Sequence, residues 1–126
     1  MYKLPEFIPE DLSPGELDGL TTALSNEVAR LARLVGTYAI NMKTKEKVYK
    51  KKLSAAIVLN KDKGTPSIVK CIAEQTRDVL DAEDEHQQAE ALYIMGKAEL
   101  DGREAQYQGA KKLVELKVQE LRSFKG

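Results

Sequence analysis

Apolar side chains recur at alternating steps of three and four along two long stretches of this chain, and one strong break separates them. In the first stretch Leu24, Val28, Leu31, Val35, Tyr38 and Met42 hold the spacing. In the second the steps run through Val79, Ala82, His86, Ala89, Tyr93, Gly96 and Leu100. They continue through Arg103, Tyr107, Ala110, Val114, Lys117, Leu121 and Phe124. Such steps return a side chain to one face of an α-helix, and when sustained they make a coiled-coil seam. No strand-like run exceeds Ala55 to Leu59, and helical sequence brackets it. The spacing specifies an all-α chain.

The ends of these stretches carry start and stop signals. In Ser13-Pro14-Gly15-Glu16, Ser13 can cap a helix, Pro14 suits its first position, and Glu16 is placed as a capping-box partner. A first helix is expected over 16–60. Its isolated Gly19 and Gly36 each cost about 1 kcal/mol. Past Met42 the same steps land on Lys45, Tyr49, Lys52 and Ala56, so the seam turns partly polar. Val48, Leu53 and Ile57 mark a register shift there, as a stutter would. Asn60 to Pro66 is the break: Gly64 can end one helix, Thr65 or Ser67 can cap the next, and Pro66 fits its first turn.

With a loop at 61–66, a second helical region is expected over 67–124. Unbroken, it would be roughly 87 Å long. Gly96, Gly102 and Gly109 are its weak places, so a bend or a break between 96 and 109 is expected instead of one straight rod. Pro5, Pro9 and Pro14 keep residues 1–15 from forming a helix. Leu4, Phe7, Ile8 and Leu12 give that arm an apolar side, so it should dock on its own helices or on a neighbouring subunit. The expected architecture is a single domain: a long antiparallel helical hairpin, coiled-coil-like, self-associating to cover the apolar surface that two helices leave open.

Composition agrees with an elongated form. Of the 126 residues, 32% are charged and only 6% aromatic, too few large side chains for a thick core. No stretch approaches the roughly 20 apolar residues of a membrane span, and the start has acids and prolines where a signal peptide needs an apolar run. The single Cys71 cannot form an internal disulfide. A soluble cytoplasmic protein without a membrane partner is expected.

Little in the chain points to catalysis. His86 is the only histidine, and although Glu90 lies four residues on, one such pair is not a metal site. A seam histidine hydrogen-bonded across the bundle is the expectation. Cys71, near Ile68 and Ile72, reads as a small buried apolar side chain. No Gly-rich phosphate loop or nucleophile elbow is present. Neither an enzyme, nor a cofactor, nor a metal is expected.

Charge is unevenly spread, although 20 basic and 20 acidic residues cancel overall. Residues 41–63 contain Lys43, Lys45, Lys47, Lys50, Lys51, Lys52, Lys61 and Lys63 against Glu46 and Asp62, a net +6. Residues 74–90 contain Glu74, Asp78, Asp81, Glu83, Asp84, Glu85 and Glu90 against Arg77, a net −6. Two readings compete. A hairpin folded about position 63 sets 50 opposite 77 and 43 opposite 84, so the lysines could neutralise the acids, each exposed pair contributing about 0–1 kcal/mol. Alternatively the lysines form a phosphate-binding patch. Lys43, Lys47 and Lys50 fall near one line of the helix, Lys45 and Lys52 near another, and Lys51 elsewhere, so they cannot all face the acids. Tyr38 and Tyr49 could stack on unpaired bases, but both also fit the seam.

The order of these parts resembles a known family. A first helix turns lysine-rich over Lys43-Thr44-Lys45-Glu46-Lys47-Val48-Tyr49-Lys50-Lys51-Lys52, and a basic glycine turn, Asn60 to Gly64, follows. Ser67-Ile68-Val69-Lys70 opens a helix that runs into Arg77-Asp78-Val79-Leu80-Asp81, and the chain ends through Gly109-Ala110-Lys111-Lys112 to Leu121-Arg122-Ser123-Phe124. Over residues 20–124 this resembles the UvsY-type recombination mediators of bacteriophages and related small helical phage proteins. The arm at 1–15 departs from that pattern, and the C-terminal half is more polar.

The resemblance implies a homo-oligomeric ring or bundle that binds single-stranded DNA without sequence preference. Such mediators help load a recombinase onto DNA coated by a single-strand-binding protein, in the host cytoplasm if the chain is phage-encoded. It places the DNA contact on Lys50, Lys51, Lys52, Lys61 and Lys63, with Lys43, Lys45 and Lys47 secondary, and assembly on the C-terminal helix. The alternative is a non-catalytic interaction or scaffold module, or an inhibitor of a host nuclease, without nucleic-acid contact. The acids of 74–90 could imitate phosphates in such an inhibitor, against which the adjoining lysines and zero net charge argue.

Overall fold

A computed structural model describes Leu4 and residues 12–125. Most of the expected Pro-rich arm, including Pro5, Phe7, Ile8 and Pro9, lies outside the described residues, as does the side chain of Phe124. The described residues form three α-helices: α1 Pro14–Leu59, α2 Pro66–Glu74 and α3 Arg77–Lys125, with a single 3-10 turn, Lys61–Lys63, between α1 and α2. The chain is all-α, with no strand among the described residues.

Local chemistry sets most of the boundaries. Ser13 Oγ accepts from the Glu16 N–H at 3.2 Å, and the Ser13 carbonyl accepts from Leu17 N–H at 2.9 Å, so α1 starts at Pro14. Asn60 closes it, donating from its side-chain amide to the Ala56 carbonyl at 2.7 Å. Gly64 then turns the chain at φ 155°, ψ −158°, a region essentially restricted to glycine. A Cβ there would lie 3.0 Å from Ile68 Cγ2. Thr65 caps α2, its hydroxyl accepting from Ile68 N–H, with Pro66 in the first turn.

The second helical region departs from expectation in where it breaks. α3 is continuous through Gly96, Gly102 and Gly109, so no break falls between 96 and 109. The interruption lies at Gln75-Thr76 instead, between α2 and α3. There the Gln75 and Thr76 N–H groups turn back to the Ile72 and Ala73 carbonyls, both at 3.1 Å, tightening the end of α2. The Thr76 carbonyl receives Leu80 N–H at 2.9 Å, and Asp78 lies in the first turn of the new helix. An isolated glycine costs a helix only about 1 kcal/mol, which anchored neighbours offset. Leu100 and Ala110, on either side of Gly102, are buried.

The described chain groups into two compact units, residues up to 34 with those from 96 onward, and residues 35–95. In the first, Leu17, Leu20, Leu24 and Ala110 are fully buried together, and Leu4, Leu12, Tyr107, Leu113 and Val114 pack against them. Lys117 Nζ donates to the Leu12 carbonyl. In the second, Ala56, Ala73 and Val79 make the buried centre, flanked by Tyr49, Leu53 and Ile57. Leu53 and Ile57 pack inward while Lys52 is exposed, but Tyr49 and Ala56 of the unshifted steps pack there too, so the register shift expected past Met42 is only partial. Val48 does not share it, being exposed.

Candidate nucleic-acid interface

The lysine-rich end of α1 lies wholly within the 35–95 unit. At about 100° per residue, Lys43, Lys47 and Lys50 fall near one line of α1, and Lys51, off that line as expected, lies only about 40° from Lys47, so the four span about 100°. All four are exposed, and together they form a stripe about 12 Å long. Tyr38, Met42, Tyr49, Leu53 and Ala56 lie on the other side of the helix and are buried or half-buried. The exposed Ile40 and Val58 flank the stripe on its own face.

The other four lysines stand apart from that stripe. Lys45 is on the seam side, half-buried, with Nζ 3.1 Å from Glu85 on α3. Lys52 lies about 140° round the helix from Lys47, exposed. Lys61 and Lys63 are exposed on the 3-10 turn. Lys70 on α2 is exposed as well, although it lies outside the 41–63 window where charge accumulates.

Neutralisation by the acidic segment accounts for one lysine. Among the described residues, only Lys45 of the eight makes an ion pair within 4.0 Å with an acid of 74–90. Lys50 bonds instead to Glu46 on its own helix at 2.8 Å, and that contact holds the Glu46 carboxyl below the usual carboxylate range. The acids also find local partners: Arg77 reaches Asp81 at 3.3 Å, Gln87 donates to Glu83 at 3.4 Å, and Gln88 donates to Asp84 at 3.0 Å. The alignment differs from a simple fold about position 63. Lys45 meets Glu85 and Tyr49 meets His86, because α2 takes up chain that a plain loop would leave to α3.

The two tyrosines belong to the seam. Tyr49 stacks on His86, with centroids 6.4 Å apart and planes 10° from parallel. Burial, reinforced by Glu83 and Glu74, pushes its phenol above the ordinary value. Tyr38 is half-buried, about 20° round α1 from Tyr49. His86 therefore meets a ring across the helices, not the expected hydrogen-bond partner, with Glu90 Oε2 4.0 Å from Nε2 on its own helix.

Cys71 corrects a further expectation: it is exposed on α2, because α2 turns Val69 and Ala73 inward. No cluster of three or more His, Cys, Asp or Glu suited to a metal ion occurs among the described residues. No helix among them is long and apolar enough to cross a membrane. Comparison with family models, curated proteins and solved structures finds no match.

Proposed function

We propose that this chain is a non-catalytic accessory protein that binds single-stranded DNA through the lysine stripe of α1, in the manner of the mediators its layout resembles. The observation that carries the reading is the separation of Lys43, Lys47, Lys50 and Lys51 from the acidic segment. Lysines committed to neutralising α3 would face it, whereas these four face solvent. Lys52, Lys61 and Lys63 supply additional positive charge near the same end of α1. Phosphate neutralisation by such lysines gives salt-dependent, sequence-tolerant affinity.

The remaining parts of the reading are an antiparallel helical hairpin and its self-association. Within the 35–95 unit, contacts of later α1 residues with earlier α3 residues support the hairpin. Exposed Leu59 (83%), Ile40 (71%) and Met95 (68%) support association, since apolar side chains so open to water favour a covering partner. A ring or bundle would multiply weak lysine contacts into useful avidity. Loading of a recombinase onto protein-coated DNA, in a host cytoplasm, rests on the family resemblance. The same exposed apolar side chains also favour the second reading, a scaffold or nuclease-inhibitor module whose partner is a protein.

Fluorescence anisotropy with a labelled single-stranded oligonucleotide tests the proposal. The wild type should bind at low salt and weaken as salt rises, and a Lys43/Lys47/Lys50/Lys51→Ala variant of unchanged helicity should lose most of that affinity. Absence of binding by the wild type at low salt would transfer the case to the protein-partner reading.

A further inference from the structure

The stripe that carries the proposed DNA contact contains no ring. Residues 39–75 include one aromatic, Tyr49, and its face is stacked on His86. Tyr38 shares Tyr49's side of α1, away from the lysines. Proteins that grip single strands by their bases use exposed aromatic platforms, whereas the stripe offers ammonium groups, that of Lys50 2.8 Å from the Glu46 carboxylate at its edge, beside the aliphatic Ile40 and Val58.

Resting on the reading above, we infer that the α1 stripe recognises a linear chain of phosphates and is blind to the bases, so its ligand class is polyphosphate, whether a nucleic-acid backbone or inorganic. Four ammonium groups spread over about 12 Å match the charge spacing of such a chain, about 3.4 Å per phosphate along one strand of duplex. Lysine ammonium is a compact point charge that demands no particular geometry of its partner. Duplex DNA, single-stranded DNA and inorganic polyphosphate therefore compete for one surface. Engagement of four phosphates gives a slope of log affinity against log salt of about −2.8 for a single strand and about −3.6 for a duplex. Between about 50 and 200 mM salt the single-strand affinity falls roughly 50-fold.

The test compares three probes on the full chain by anisotropy: a mixed-sequence single strand, an abasic strand of the same length, and unlabelled inorganic polyphosphate as competitor. The abasic strand should bind as the normal strand does to within about twofold, whereas one stacked base is worth roughly 5- to 150-fold. Inorganic polyphosphate should displace both strands, and inorganic monophosphate at equal phosphate concentration should displace neither. The Lys43/Lys47/Lys50/Lys51→Ala variant, its helix content checked by circular dichroism, should lose the salt slope. An abasic strand weaker by about fivefold or more, or one that polyphosphate fails to displace, would overturn the inference and leave the DNA reading standing. Failure of every strand to bind at low salt would overturn both.

Discussion

Tyr49 on α1 and His86 on α3 lie ring over ring, 6.4 Å between centroids and 10° from parallel. The stack withdraws a phenol from water beside two carboxylates, and that has a consequence at high pH. The folded chain holds the Tyr49 proton more tightly than the ordinary value of 10.0 implies, first through burial and then through Glu83 and Glu74. A raised acid contributes stability that is complete below the unfolded value and is lost as pH rises through the folded one. Urea unfolding should therefore show a steeper loss of stability above about pH 10 in the wild type than in Tyr49→Phe. Equal losses in both proteins would refute this role of Tyr49.

Acid acts elsewhere, through Glu27. Its carboxyl accepts from Arg30 Nε at 3.0 Å, and that hydrogen bond, with the charges of Arg30 and Arg103, lowers it from the ordinary 4.5. The sign is opposite to that of Tyr49: this contribution is present above 4.5 and disappears as pH falls through the depressed value. In a thermal-melt series from pH 6 down to pH 3, Glu27→Gln should start lower than the wild type and converge with it as the medium becomes acid.

Gly64 should tolerate no side chain. Its φ of 155° and the 3.0 Å approach of a Cβ to Ile68 Cγ2 predict that Gly64→Ala costs about 1–3 kcal/mol in denaturant unfolding. Gly102 is the internal control, since a Cβ there meets nothing within 4 Å. Gly102→Ala should be neutral or stabilising by up to about 1 kcal/mol, because alanine is the better helix former.

The buried leucines of the first unit should dominate stability. Leu20 is fully buried, and truncation to Ala should cost about 2–5 kcal/mol. Leu59, with 83% of its surface open, should change monomer stability by no more than about 0.5 kcal/mol on the same substitution. A concentration-dependent loss at Leu59 would point to a partner covering that side chain.

Lys45 should separate pairing from binding. As the one of the eight lysines that is joined to the acidic segment among the described residues, it should contribute no more than about 1 kcal/mol with Glu85 in a double-mutant cycle. Lys45→Ala should leave oligonucleotide affinity nearly unchanged, in contrast to the stripe variant. A large loss of affinity would place the binding face on the seam side of α1.

Short-range chemistry was the legible part of the fold. The Ser13 and Thr65 caps and the Pro14 and Pro66 starts depend on side chains within a few residues of the backbone groups they serve, so they can be read directly. The Gln75-Thr76 interruption was legible too, in a threonine two residues before Asp78, but the glycines farther along α3 drew the expected break away from it. The three-four spacing gave a clue here, since its unbroken run starts at Val79, just past the interruption. Exposure of Cys71 follows from the rotation of a nine-residue helix that local pattern leaves open. For the lysines, helical geometry sorts the faces, but the sequence does not reveal which face meets Glu85, forty residues away.

The packing of Leu17, Leu20 and Leu24 with Ala110 also bears on the order in which a ribosome delivers the chain. These leucines leave the ribosome ahead of the α3 residues that cover them, Tyr107 to Val114, which follow roughly 90 residues later. At about 5–20 residues per second, the apolar start of α1 waits some 4–18 s for its partners. The 35–95 unit, whose parts are contiguous, is complete before that wait ends. During translation, Leu17, Leu20 and Leu24 are made long before the residues that cover them, and that interval is when a chaperone or a second nascent copy has access to them.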